Sequence, residues 1–118
     1  MLVAFLRWNL YLLSYLIDRD HRLLLENLAL GKQCFADSKL ELGLEVYNNK
    51  AQCGVCHTLK SNGSVGNIGP NLDQLKPSID QIIYAVTNGI GVMQAWEGIL
   101  SSEEIQAVAY YIFNSTNN

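Results

Sequence analysis

The sequence predicts an all-α fold: three main amphipathic helices and a long irregular loop, preceded by an apolar amino-terminal segment. Three observations predict it. A serine followed three residues later by Glu or Gln, the capping-box signature of a helix start, recurs three times in the second part of the chain. Each box leads into apolar residues at i, i+3, i+4 and i+7. No run alternates with period two, so no sheet is expected.

The elements follow in chain order. Residues 1–17 are almost wholly apolar, broken by Arg7, Asn9 and Ser14. A charged knot, Asp18-Arg19-Asp20-His21-Arg22, separates them from a second apolar run, Leu23 to Leu30. A membrane span needs about 20 apolar residues, and a central charge costs on the order of 3 kcal/mol. The first run is short and carries Arg7 near its middle, so three readings stand side by side. It is an anchor whose arginine snorkels to a headgroup, an export signal with Cys34-Phe35-Ala36 as a small-x-small cleavage site, or an interfacial helix. All three give residues 1–30 a membrane or export role and set residues 1–36 apart as a leader from a domain at 37–118; the bland alternative is that the segment packs on the domain as ordinary structure.

The first helix of that domain opens at Ser38 with Glu41 and carries the stripe Leu40, Gly43, Leu44, Tyr47. The second opens at Ser78 with Gln81, carries Ile79, Ile82, Ile83 and Val86, and stops at Gly89, which tolerates positive φ. The third opens at Ser101 with Glu104 and carries Ile105, Val108, Ala109 and Ile112. Between the first two, Ser61 to Pro70 is glycine-rich and reads as irregular loop.

Composition narrows the function. The chain has 118 residues, room for one domain of the usual roughly 100–150. A hydrophobic content of 49% excludes a disordered chain, and a net charge of −3 offers no basic surface for nucleic acid. Three cysteines, only two of them close together, do not make a disulfide scaffold. The ordered part is about 80 residues, a size at which one core seldom supplies more than about 3–5 kcal/mol. Something is expected to sit between the helices and complete the core.

Cys53-Gly54-Val55-Cys56-His57 follows directly on the first helix, and Cys-x-x-Cys-His is the haem c attachment signature. Cysteines three apart on a helical turn share a face, so both thiols reach the two vinyl groups of one porphyrin. The next residue presents its imidazole to the iron, while Gly54 and Val55 keep the turn slim. The competing readings are weaker. Zinc needs four ligands, and the other candidates are Cys34 and His21 in the leader. A redox dithiol needs a βαβ setting that the pattern lacks. A chance match remains the bland alternative, since the pattern fixes three residues. Cytochromes c pair histidine with methionine on the iron. Met93 is the one methionine besides the initiator, in a glycine-relaxed loop from Gly89 to Trp96. It is the expected second axial ligand in preference to a gap-filling core methionine or to His21.

From Ser38 to Asn114 the chain resembles the class I (mitochondrial-type and small bacterial) monohaem cytochrome c family. Gly43-Leu44-Glu45-Val46-Tyr47 is similar to the first-helix motif, where a glycine and an aromatic let the terminal helices cross closely. Cys53 to His57 matches the haem motif, and the Met93 loop with Ala107 to Ile112 is similar to the family's last loop and helix. Gly69-Pro70-Asn71-Leu72 is similar to the loop whose proline carbonyl accepts the Nδ1 proton of the iron-bound histidine, which implies that role for Pro70. The resemblance implies that Val108 and Tyr111 meet Gly43 and Tyr47 at the crossing. It departs at Gln94, where relatives often have proline, which predicts a looser Met93 loop.

The expected function is one-electron transfer between Fe(II) and Fe(III) by covalent haem c, with no catalytic residues and with redox proteins as transiently docked partners. Its alternatives are a haem subunit of a larger oxidoreductase and, if the Met93 bond is labile, a haem enzyme or gas sensor. From Ser38 onward four lysines (Lys39, Lys50, Lys60, Lys76) face seven acids, so docking by a lysine ring is not expected. Because haem c is attached in the periplasm, or in the intermembrane space or lumen of organelles, the resemblance implies export.

Overall fold

The structure, a computed structural model, describes residues 31–118. The chain divides into two units, Met1–Ala36 and Asp37–Asn118. In the first, the described residues 31–36 are helical, and Cys34 carries an exposed free thiol. The readings of residues 1–30 as signal, anchor or interfacial helix, and of His21 as a ligand, lie outside the described residues. Among the described residues no helix is long and apolar enough to cross a membrane.

In the second unit helix α1 is already in place at residue 37 and runs to residue 45. Ser38 is therefore helical and is not the helix start that its Ser-x-x-Glu pattern predicted. A serine caps only where its own backbone leaves the helix, and nothing upstream from Lys32 to Asp37 breaks one. The chain then widens into a π-helical turn, Val46–Lys50, closed by a bond from the Ala51 N–H to the Val46 carbonyl at 2.8 Å. Such turns recur next to functional sites, and this one leads straight into the cysteines. Along α1 and into this turn Gly43, Val46 and Tyr47 are buried, whereas Leu40 is half-buried and Leu44 exposed. The predicted stripe was thus partly displaced.

A short antiparallel hairpin, β1 Thr58–Leu59 with β2 Ser64–Val65, corrects the expectation of no sheet. Its turn is a 3₁₀ segment, Lys60–Asn62, ended by Gly63 at φ 78°. One helical turn, α2 (Leu72–Leu75), was also unforeseen; Asn71 caps it by accepting from the Asp73 and Gln74 N–H groups.

Helices α3 (Ile79–Asn88) and α4 (Ser102–Asn117) begin at the predicted caps. At α3 the Ser78–Gln81 box is complete in both directions. At α4 Ser101 accepts from the Glu104 N–H, while the Glu104 carboxylate pairs with Lys50 Nζ at 3.0 Å. All four predicted α4 stripe residues are buried, and with Ile82 and Val86 of α3 they join Val46, Tyr47 and Leu59 in one core.

Helices α1 and α4 cross at Gly43. A Cβ there would strike the Ala107 carbonyl oxygen and lie 2.6 Å from Tyr111 Cβ, so only glycine allows the approach. Tyr47 and Tyr111 pack beside it with ring centroids 5.6 Å apart and planes tilted by 59°. Tyr111 is where the resemblance implied, Val108 lies in the same buried core as Tyr47, and the backbone nearest Gly43 belongs to Ala107.

Candidate haem site

Gln52, in a left-handed conformation at φ 50°, reverses the chain after the π turn and starts a 3₁₀ turn, Cys53–Val55. Bonds from the Cys56 and His57 N–H groups to the Cys53 carbonyl, 3.1 and 3.0 Å, fold the attachment turn onto itself. Both thiols are free and partly buried. Burial pushes the Cys53 thiol up to about 11, and the neighbouring Cys56 thiol adds to the rise, against a lowering backbone bond.

The His57 ring is held from two sides. Its Nδ1 donates to the Pro70 carbonyl at 2.8 Å, and the ring packs on Gly69, where a Cβ would lie 2.8 Å from Nδ1. With Nδ1 carrying the proton, Nε2 is the lone-pair nitrogen, free to bind a metal.

Met93 closes a tight turn, Ile90 to Met93, with paired backbone bonds of 3.1 and 2.9 Å and Gly91 at φ 57°. Gly89 governs this loop. It combines φ 72° with ψ 158°, a region open to little but glycine, and a Cβ there would lie 2.6 Å from the Met93 carbonyl oxygen and 2.8 Å from the Ala95 nitrogen. The Trp96 N–H bonds to the Val86 carbonyl at 2.9 Å. The loop expected to be slack without a proline at Gln94 thus has three other restraints.

These parts meet. Cys53, Cys56, His57, Pro70 and Met93 all line one cavity of about 1150 Å³, together with apolar residues from α2, α3 and α4. Ordinary ligand pockets run to roughly 1,000 Å³, so the space suits a ligand larger than most. Among the described residues no three of His, Cys, Asp and Glu gather as a metal cage, which leaves zinc without a ligand set. The dithiol reading fares no better, since the described strands are two residues long and form no βαβ unit. A flat, apolar group attached by two thiols, with a nitrogen and a thioether as donors, fits what is present. Sequence reasoning placed Gly69 in the Pro70 loop and Gly89 in the Met93 loop, but missed Ser64 and Gly66, which act through close approaches between segments apart in sequence.

An attachment turn on one wall of a large apolar cavity, inside a small helical unit, defines the class: a monohaem c-type cytochrome. Comparison with known proteins agrees. A family described as "Cytochrome C oxidase, cbb3-type, subunit III" matches residues 38–112. The chloroplastic cytochrome c6 of Chlamydomonas reinhardtii is 35% identical over 101 residues, which are 77% of this chain and 64% of that protein. Cytochrome c6 of Tetradesmus obliquus is 32% identical over 101 residues, 77% of this chain and 93% of that one. Among solved structures, the c-type cytochrome SorU from Sinorhizobium meliloti is 48% identical with a TM-score of 0.63, covering 68% of this chain and 93% of its own. The chain belongs to the cytochrome c family. Its cofactor is covalently bound haem c, and its function is haem-based electron transfer.

Proposed function

We propose that this chain is a one-electron carrier in which Cys53 and Cys56 would hold haem c by thioether bonds and His57 and Met93 would supply the protein ligands to its iron. Bound there, the group supplies a reversible couple between Fe(II) and Fe(III). The protein residues do the rest. Pro70 accepts the Nδ1 proton, fixes the His57 tautomer and makes Nε2 a stronger donor. Met93 offers a soft, neutral sulfur that favours the reduced state. The apolar lining keeps water from the ring. With His57 and Met93 both supplied by the chain as ligands, the iron would have no open position for a substrate, so the unit would carry electrons with no catalytic residues of its own.

The observation that carries this reading is that Met93, 36 positions after His57, lines the same cavity as the attachment turn. Visible spectroscopy and mass spectrometry of the native protein test it. A covalent haem mass and a low-spin spectrum are expected, with Met93→Ala losing the long-wavelength charge-transfer band of an iron–thioether bond. A colourless protein of bare polypeptide mass overturns it.

The cavity mouth suggests how partners dock. Val55, Ile68, Leu75, Tyr84, Ile90 and Val92 line it and are exposed, and Asp80 is its one charged lining residue among the described residues. Such a rim suits small, transient contacts with the apolar face of a redox protein, and electron exchange is expected to change little with salt. Because haem c is attached outside the cytoplasm, we place the unit in the periplasm or the equivalent organelle space, reached through residues 1–36.

A second reading, a haem subunit of a larger oxidoreductase, is favoured by the matched family's description as an oxidase subunit. Size measurement on native material separates the two: a stable stoichiometric partner supports the subunit, a monomer the free carrier.

A further inference from the structure

The segment from Ser64 to Pro70 meets the attachment turn and its histidine at Ser64, Gly66, Gly69 and Pro70. Added Cβ atoms show how close the two backbones are: one on Gly54 would lie 2.7 Å from Ser64 Cβ, and one on Gly66 would lie 2.6 Å from the Val55 carbonyl oxygen and the Cys56 carbonyl carbon. The Gly69 N–H bonds to the Cys56 carbonyl at 2.7 Å, and the strap ends at the Pro70 carbonyl that receives the His57 proton. At its other end the strap is tied to the helix crossing. Tyr47 Oη and Ser64 Oγ share a bond of 2.9 Å, with the Tyr47 side chain fully buried. Thr58 Oγ1 donates to the Gly66 carbonyl at 2.8 Å.

We infer that Tyr47 and Ser64 are positioning residues, whose hydroxyl-to-hydroxyl bond seats the 64–70 strap on the attachment turn and so sets the strength of the His57–Pro70 bond that tunes the haem iron. This rests on His57 being the iron ligand. The physical path is short. Ser64 packs on Gly54, in the middle of the turn, and the strap's next contacts are the Cys56 carbonyl and the imidazole itself. If Ser64 loses its anchor, the strap relaxes away from the turn and the Nδ1 bond lengthens. A less strongly bonded imidazole is a poorer donor, which disfavours Fe(III) and raises the midpoint potential.

The test is potentiometry of the haem-loaded Ser64→Ala, Tyr47→Phe, double and Ser64→Thr variants, with proton NMR of the His57 Nδ1–H. Ser64→Ala and Tyr47→Phe are expected to shift the potential upward, with the double variant no further than either. Exchange of the Nδ1 proton is expected to quicken roughly fivefold, the factor for one ordinary hydrogen bond. Ser64→Thr, which keeps the hydroxyl, is expected to restore the native potential. Ile105→Val serves as a control, since it weakens the core away from the site. Unchanged potentials in both hydroxyl variants, or an equal shift in Ile105→Val, overturn the inference while leaving the carrier reading intact. Loss of histidine ligation in the native protein overturns both.

Discussion

Gly43, Gly89 and Tyr47 each decide something that no neighbour can supply. At Gly43 the obstacle to a side chain is the Ala107 carbonyl, which cannot swing aside without disturbing α4. Gly43→Ala is expected to cost about 1–3 kcal/mol, read as a lower urea midpoint of the haem-loaded protein. At Gly89 the penalty falls on the Met93 loop as well as on α3, since the strained φ and the close Met93 carbonyl act together. Gly89→Ala is expected to weaken the methionine bond, seen as a fading iron–thioether band and readier binding of cyanide. Tyr47 gives a pH signature. Burial pushes its phenol from about 10 up to about 12, and the bond to Ser64 only partly offsets this. Between those values the unfolded chain has lost the proton that the folded chain keeps, so stability is full below pH 10 and falls as pH rises toward 12. The fall is about 1.4 kcal/mol per pH unit for one group. Urea unfolding across that range should show it, and Tyr47→Phe should remove that component.

At the scale of elements, cap chemistry was legible where it is local. Ser78 and Ser101 start helices because the bonds they make reach only three residues ahead. Ser78→Ala is expected to cost about 1 kcal/mol by losing a complete capping box, measured by thermal unfolding. The same pattern misled at Ser38, since nothing inside Ser-x-x-Glu says whether the upstream chain is already helical. The hairpin had a signal, Asn62-Gly63 between Thr58-Leu59 and Ser64-Val65, but its strands are too short for an alternating pattern. Asn71 after Pro70 likewise announced α2. The π turn at Val46–Lys50 announced nothing in the local residue pattern. The site itself was readable because Cys53, Cys56 and His57 are contiguous and Met93 had a single competitor. The seating of the strap was not, because the close approach of Ser64 and Gly66 to a turn ten residues away leaves no mark until the fold is known.

For the whole molecule, the cavity bears on stability as much as on electron transfer. The core of the second unit runs into the cavity wall: Leu72, Ile82, Val86 and Ile112 belong to the core and also line a space of about 1150 Å³. Val55, Ile68, Leu75, Tyr84, Ile90 and Val92 stand exposed along that space. Each buried apolar side chain is worth about 1.5–3 kcal/mol, so covering several of them in part matches the whole margin of a small domain. A chain that cannot attach haem is therefore expected to keep fragments of α3 and α4 and lose the cooperative fold. Cys53→Ala with Cys56→Ala, followed by far-UV circular dichroism, reads this directly. The expected result is reduced helicity and a broad, shallow melt, against a sharp transition for the haem-loaded protein. A cooperative melt of native amplitude in the double variant, with no haem retained, would show that the helices carry the unit by themselves and that the cavity contributes nothing to its stability.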